Sequence, residues 1–169
     1  MAADKLLISA GPGERRIAVV AGDRIVEIHI ARTGDLVGGV WLGRVVEVNR
    51  GLKAAFVDIG ADRPGFLPGA DHQTGDPVLV QATAEPREGK GCMLSGAPSL
   101  PGRLLAFAPF RPGIAVSRRL PLIERRRLEE ILTALVRPGE GLVARSGAAG
   151  QPAEALGAEA RSLRDRWED

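Results

Sequence analysis

Arg50-Gly-Leu-Lys-Ala-Ala-Phe-Val-Asp-Ile-Gly-Ala-Asp-Arg-Pro-Gly-Phe-Leu-Pro68 is the stretch whose reading decides the fold. A short apolar run, Ala54 to Val57, ends at Asp58-Ile59-Gly60, and a second run starts at Gly65. Short runs broken by Gly, Asp and Pro predict two β-strands around a turn. Of four Phe in the chain, two, Phe56 and Phe66, fall in these strands among Arg50, Lys53 and Arg63. Rings flanked by cations suit single-stranded nucleic acid, because bases stack on π-faces while phosphates take the positive charge. Burial in a barrel core is the competing use of the same rings.

The flanks continue the pattern. Val40 to Val48 predicts a long strand with Gly43 at a bend or bulge, Asp76 to Ala84 another, and Cys92 to Ser95 a last one after the charged turn Glu85 to Gly91. Several short strands within about sixty residues, with Gly at the bends, predict a small closed Greek-key barrel. Upstream, residues 5–10, 15–21 and 25–30 predict a β-meander, with Ala21-Gly22-Asp23-Arg24 as a hairpin turn. A meander of three strands cannot bury both faces alone. Downstream, 102–108 and 114–117 predict strands that pair with each other. A helix starts with Pro121 as its first residue and carries Leu128, Ile131, Leu132 and Leu135 on one face. Leu142 to Ala144 predicts a short strand, and a second helix opened by Pro152 aligns Leu156, Ala160, Leu163 and Trp167. The expected class is α+β, in three parts: 1–37, 38–100 and 101–169.

The totals bound the function. With 44% hydrophobic and 26% charged residues the 169-residue chain is globular, and its net charge of +2 confines any nucleic-acid affinity to local patches. Residues 103–127 form such a patch, with seven Arg against the single acid Glu124. One Cys, Cys92, excludes an internal disulfide framework. No run is long enough to span a membrane, and the N-terminus, with Asp4 ahead of a short apolar part, lacks a secretory pattern, so a cytoplasmic protein is expected. Asp58 and Asp62 are turn residues, Asp71, His72 and Asp76 lack ligand spacing, and His29 has no visible partner. No nucleophile–base or phosphate-loop motif appears.

Taken in order, these strings resemble the N-terminal half of the RNase E/G family of bacterial endoribonucleases. The resemblance runs through Leu6-Leu-Ile-Ser9, Arg16-Ile-Ala-Val-Val-Ala-Gly-Asp-Arg-Ile-Val-Glu27, Gly43-Arg-Val-Val-Glu-Val48, Ala54-Ala-Phe-Val-Asp-Ile-Gly60, Gly65-Phe-Leu-Pro68, Ser117-Arg-Arg119, Gly141-Leu-Val-Ala-Arg-Ser146 and Ala153-Glu-Ala-Leu156. It implies an S1, OB-type five-stranded barrel inserted after a partial RNase-H-like meander and followed by a small α/β segment that senses the RNA 5′ end. It also implies that Phe56, Phe66 and Lys90 contact single-stranded RNA; Lys53 and Arg63 are candidates from the sequence itself, as the cations that flank the rings. Gly102, Ala106, Arg145 and Ser146 match positions of a 5′-monophosphate pocket, where Ser146 stands in place of the usual Thr.

The family's magnesium-holding carboxylates and its zinc link belong to later domains. The expectation for this chain is therefore RNA holding without a catalytic site and without a cofactor, magnesium entering only with the catalytic domain. A catalytic half supplied by further sequence or by a separate chain is one alternative, and a scaffold that kept the barrel but not the RNA is another. Expected partners are single-stranded RNA, with a catalytic partner chain or a second copy as further candidates.

Overall fold

The computed structural model describes residues 3–69 and 71–169. They fall into two compact units, Met1–Val37 and Gly38–Asp169.

The first unit is the meander β1 (Lys5–Gly11), β2 (Glu14–Ala21) and β3 (Arg24–Arg32), all antiparallel in the order β1-β2-β3. The predicted hairpin turn joins β2 to β3, with Gly22 at φ 60° where a side chain would be strained. Val20 and Ala21 are buried, while every residue of β1 and β3 is exposed. Cross-strand neighbours Leu7, Ala18 and Ile28 share one face and Leu6 and Val19 the other, so apolar side chains stand on both.

The second unit begins with β4 (Val40–Asn49), β5 (Ala54–Asp58), β6 (Gly65–Pro68), β7 (Pro77–Ala84) and β8 (Met93–Ser95), which close into a barrel in the order β4-β5-β6-β8-β7. The α+β class and the five-stranded barrel are thus both present. Val45, Val57, Leu67, Val80 and Leu94 fill the barrel interior. The bulge in β4 lies between Val45 and Glu47 and not at Gly43. Gly43 answers a different need: a Cβ there would stand 2.5 Å from Val57 Cγ1, so the strands cross close only without one.

Four further strands, β9 (Leu100–Pro101), β10 (Leu105–Ala108), β11 (Gly113–Val116) and β12 (Gly141–Ala144), form a sheet ordered β11-β12-β10-β9. The expected pairing of 114–117 with 102–108 does not occur. β11 runs parallel to β12, because helix α1 (Leu122–Leu135) crosses over between them. The expected strand over 102–108 is shorter at its start, residues 102–104 being a turn. Leu105, Phe107, Leu142 and Ala144 face α1 and α2 (Ala153–Glu168), packing on Leu128, Leu132, Leu156, Ala160 and Leu163. Pro121 and Pro152 are the N-caps of these helices; Pro121 is therefore not the first helical residue.

Gln81 ties the barrel to the Ser99 strand entry. Its buried amide donates to the carbonyls of Gly38 (3.0 Å) and Ser99 (2.9 Å) and accepts from Ser99 N (2.9 Å). Both amide protons and the oxygen are used, so this buried polar group costs little where it sits.

Candidate nucleic-acid interface

The register of β5 against β6 puts Phe56 directly opposite Phe66. Their rings meet edge to face, centroids 5.8 Å apart at 73°, and both are half-buried. Neither therefore belongs to the barrel interior, which Ala55, Val57 and Leu67 occupy from the alternate positions. Phe66 also pairs with Met93 across the parallel β6–β8 contact. The rings line a cleft of about 510 Å³ with Leu52, Arg63, Pro64, Lys90 and Met93. Leu52 and Met93 are 61% and 41% exposed, so the apolar floor faces solvent. Arg63 spans the cleft edge, its Nη1 donating to Gly89 O at 3.4 Å. Lys90 sits in a tight turn closed by its N–H on Arg87 O (2.8 Å).

The structure thus brings Phe56, Phe66, Lys90 and Arg63 together. Lys53 stands apart. It takes a left-handed backbone (φ 48°) at the turn before β5 and lines a separate hollow with Val48, Asn49, Arg50 and Gly69.

Of the four expected phosphate-pocket residues, Gly102, Arg145 and Ser146 are drawn together. Arg145 Nη1 donates to Gly102 O, and Arg145 N to Leu104 O at 2.8 Å. Ser146 opens a one-turn 3₁₀ helix, Ser146–Ala148, and like Arg145 is exposed. Ala106 is instead inside β10, opposite Pro101 and Val143, lining a groove with Ser99, Arg111 and Ala115 on the sheet face away from the helices. A Cβ at Gly102 would fall 2.5 Å from Glu159 Oε1, so a side chain there has to displace that carboxylate.

The loop after Ser146 holds its amides internally. The N–H groups of Ala148, Ala149 and Gln151 go to the carbonyls of Arg145, Ser146 and Ala148. Gly150 N goes to Glu124 Oε1 at 2.8 Å. Glu124 also accepts from Arg127 twice, at 2.6 and 3.0 Å, while Arg127 Nη1 reaches Gln151 O at 3.1 Å. One of the seven arginines of the basic patch is therefore paired, and the first turn of α1 is clamped to the loop. The Arg127 hydrogen bonds, then the Gly150 amide, lower the Glu124 carboxyl to a pKa of about 2. A carboxyl depressed in the folded state stabilises above its unfolded pKa and loses that contribution as pH falls through the folded one. The melting temperature of the wild type is expected to fall over about pH 4.5 to 2, and Glu124→Gln to start lower at neutral pH and lose less over that window. Parallel pH–stability curves for the two proteins would contradict the clamp.

Among the described residues no group of three or more His, Cys, Asp or Glu side chains could hold a metal ion. No helix among them is long and apolar enough to cross a membrane.

Comparison with known proteins bears on this geometry. The sequence profile of the Ribonuclease E/G family matches residues 99–169, which hold Gly102, Arg145 and both helices. Ribonuclease G of Salmonella typhimurium (strain SL1344) is 32% identical over 190 residues, covering 96% of this chain and 39% of that protein. The chain belongs to the ribonuclease E/G family. Ribonuclease G of Escherichia coli (strain K12) is 31% identical over the same shares, and Ribonuclease E of Nostoc sp. is 34% identical over 89% of the chain and 25% of that protein. This family member spans about two-fifths of the length of the ribonuclease G relatives it matches.

Three residues that shape the interface carry no motif in the sequence: Gln81, Glu124 and Glu159. Glu159 alone leaves a trace there. It stands between Leu156, Ala160 and Leu163 on the apolar stripe of α2, where an acid needs partners.

Proposed function

We propose that this chain holds single-stranded RNA, with bases on the Phe56–Phe66 face of the barrel and phosphates near Lys90 and Arg63. The observation that carries the reading is the pair of half-exposed rings turned out of a closed barrel into an apolar cleft with cations at its rim. Bases need such flat apolar surfaces, and their backbone needs positive charge nearby. The exposed Arg145, held against Gly102, and its exposed neighbour Ser146 are read as the grip on a 5′-monophosphate. A guanidinium and a hydroxyl supply charge-assisted donors to phosphate oxygens.

In this reading the protein acts in RNA processing or decay in the cytoplasm. Cleavage would come from further sequence or a partner chain, a possibility favoured by the relatives named as ribonucleases, of which this chain covers 40% or less. The uncovered apolar faces of the meander offer such a partner, or a second copy, a surface to bury.

The test is a titration of unstructured RNA carrying either a 5′-monophosphate or a 5′-hydroxyl. The wild type is expected to prefer the monophosphate by about tenfold or more, one charge-assisted contact being worth about 1.5–3 kcal/mol. Arg145→Ala should bring the two affinities together. Equal affinities in the wild type sink the 5′ reading, and no binding of either RNA sinks the barrel reading as well.

A further inference from the structure

Helix α2 drives one carboxylate into the turn that precedes β10. Glu159 is half-buried, and its two oxygens accept three consecutive backbone amides: Oε1 from Arg103 N at 2.5 Å, and Oε2 from Leu104 N at 2.7 Å and Leu105 N at 3.1 Å. The turn is closed by Gly102 N on Leu105 O at 2.8 Å. Successive amides converging on one point form an anion-binding nest. Here the protein's own carboxylate fills it, so an RNA phosphate cannot use these three donors.

A second link leaves the same turn. The Gly102 carbonyl accepts from Arg145 Nη1, and Leu104 O accepts from Arg145 N at 2.8 Å. Glu159 fixes the turn, the turn fixes the Gly102 carbonyl, and that carbonyl aims an exposed guanidinium with four further N–H donors. A Cβ at Gly102 would stand 2.5 Å from Glu159 Oε1 and push the carboxylate off the turn, so a side chain at 102 disturbs this contact.

We propose that Glu159 is a positioning residue for 5′-phosphate recognition. By occupying the 103–105 amides it leaves phosphate recognition to the Arg145 guanidinium and the Ser146 hydroxyl, and it sets the direction from which Arg145 presents its donors. This inference rests on the reading of Arg145 as the 5′-phosphate grip. An unanchored guanidinium would still attract phosphate, but without fixed geometry it would separate a monophosphate end poorly from the internal phosphates every RNA carries.

The experiment measures the ratio of dissociation constants for 5′-hydroxyl and 5′-monophosphate forms of one unstructured RNA, using the full chain. In Glu159→Gln the ratio is expected to fall about tenfold, toward one, while the affinity for the 5′-hydroxyl RNA, which depends on the barrel cleft, stays at the wild-type value. Gly102→Ala attacks the same contact from the turn and keeps the carboxylate; its ratio should fall as well, which covers the case where one variant does not fold. A Glu159→Gln protein that keeps the wild-type ratio while Arg145→Ala loses it overturns the positioning role alone. Equal weakening of both RNAs, or loss of folding in both variants, overturns it by marking the contact as structural only. Absence of any preference in the wild type overturns this inference together with the reading beneath it.

Discussion

Replacing Phe56 or Phe66 with alanine should weaken binding to unstructured RNA by roughly 5- to 150-fold each, since one base stacked on one ring is worth about 1–3 kcal/mol. The two losses should not add. The rings support each other edge to face at 5.8 Å, so removing either frees the other to turn, and the double variant should lose less than the sum. Both side chains are half-buried, so truncation should destabilise by less than the about 3–5 kcal/mol of a fully buried phenylalanine. Phe56→Leu separates the two roles, because it keeps an apolar side chain in the cleft that Leu52 and Met93 also line and discards the π-face. Fluorescence anisotropy with a labelled single strand reads the affinity, and a melting curve shows that the variant is folded. A folded Phe56→Leu protein with unchanged affinity would end the platform argument. Lys90→Ala should act differently, lowering the salt dependence of binding by about one phosphate contact and leaving the stacking contribution intact.

The barrel is legible in the sequence because its information is local. Period-two apolar runs broken by Gly, Pro and Asp mark each strand, and closure follows once five of them lack another partner. The same alternation makes Phe56 and Phe66 candidates for one shared face, although their direct opposition depends on the β5–β6 register, which the turn between them sets. The hidden features depend on long-range pairing. An antiparallel partner for 114–117 is as good by sequence as the parallel pairing with β12 that the α1 crossover imposes. Lys53 is near the rings along the chain, but its left-handed turn aims it elsewhere. Glu159, Glu140 and Arg164 are visible in the sequence only as charges interrupting or adjoining apolar stretches. The contacts that α2 makes through Glu159 and Arg164 bridge 24 to 56 residues, beyond any motif. Gln81 gives no signal, because a single amide in a strand has many uses.

Arg164→Ala should cost the fold about 3–5 kcal/mol, the expected penalty for orphaning one member of a buried ion pair. Arg164 and Glu140 are 7% and 8% exposed, and the guanidinium meets the carboxylate through Nε at 2.9 and 3.1 Å and again through Nη2. Arg164 Nη2 also donates to Leu135 O at 2.8 Å, capping the last turn of α1, where a cation meets the negative end of the helix dipole. Glu140 in turn accepts from Arg137 N at 2.9 Å, closing the turn between α1 and β12. Burial alone would raise the Glu140 carboxyl, but the Arg164 hydrogen bonds and the Arg137 amide outweigh it and hold it below the usual carboxylate range. Three elements therefore depend on one guanidinium: α2 carries it, α1 ends on it, and the 137–140 turn is shaped through its partner. Loss of Arg164 leaves a buried carboxylate unpaired and a helix end uncapped. Glu140→Ala should be similarly severe, because the arginine is then the buried orphan. Removing both charges at once, as Glu140→Leu with Arg164→Met, should recover most of the loss, since a packed apolar pair of like volume can match a buried ion pair. Chemical denaturation of the four proteins measures this directly. Single variants within about 1 kcal/mol of wild type would show that solvent reaches the pair, and a double variant as unstable as either single would show that the specific hydrogen bonds to Leu135 and Arg137 carry the stability instead of the charge pairing.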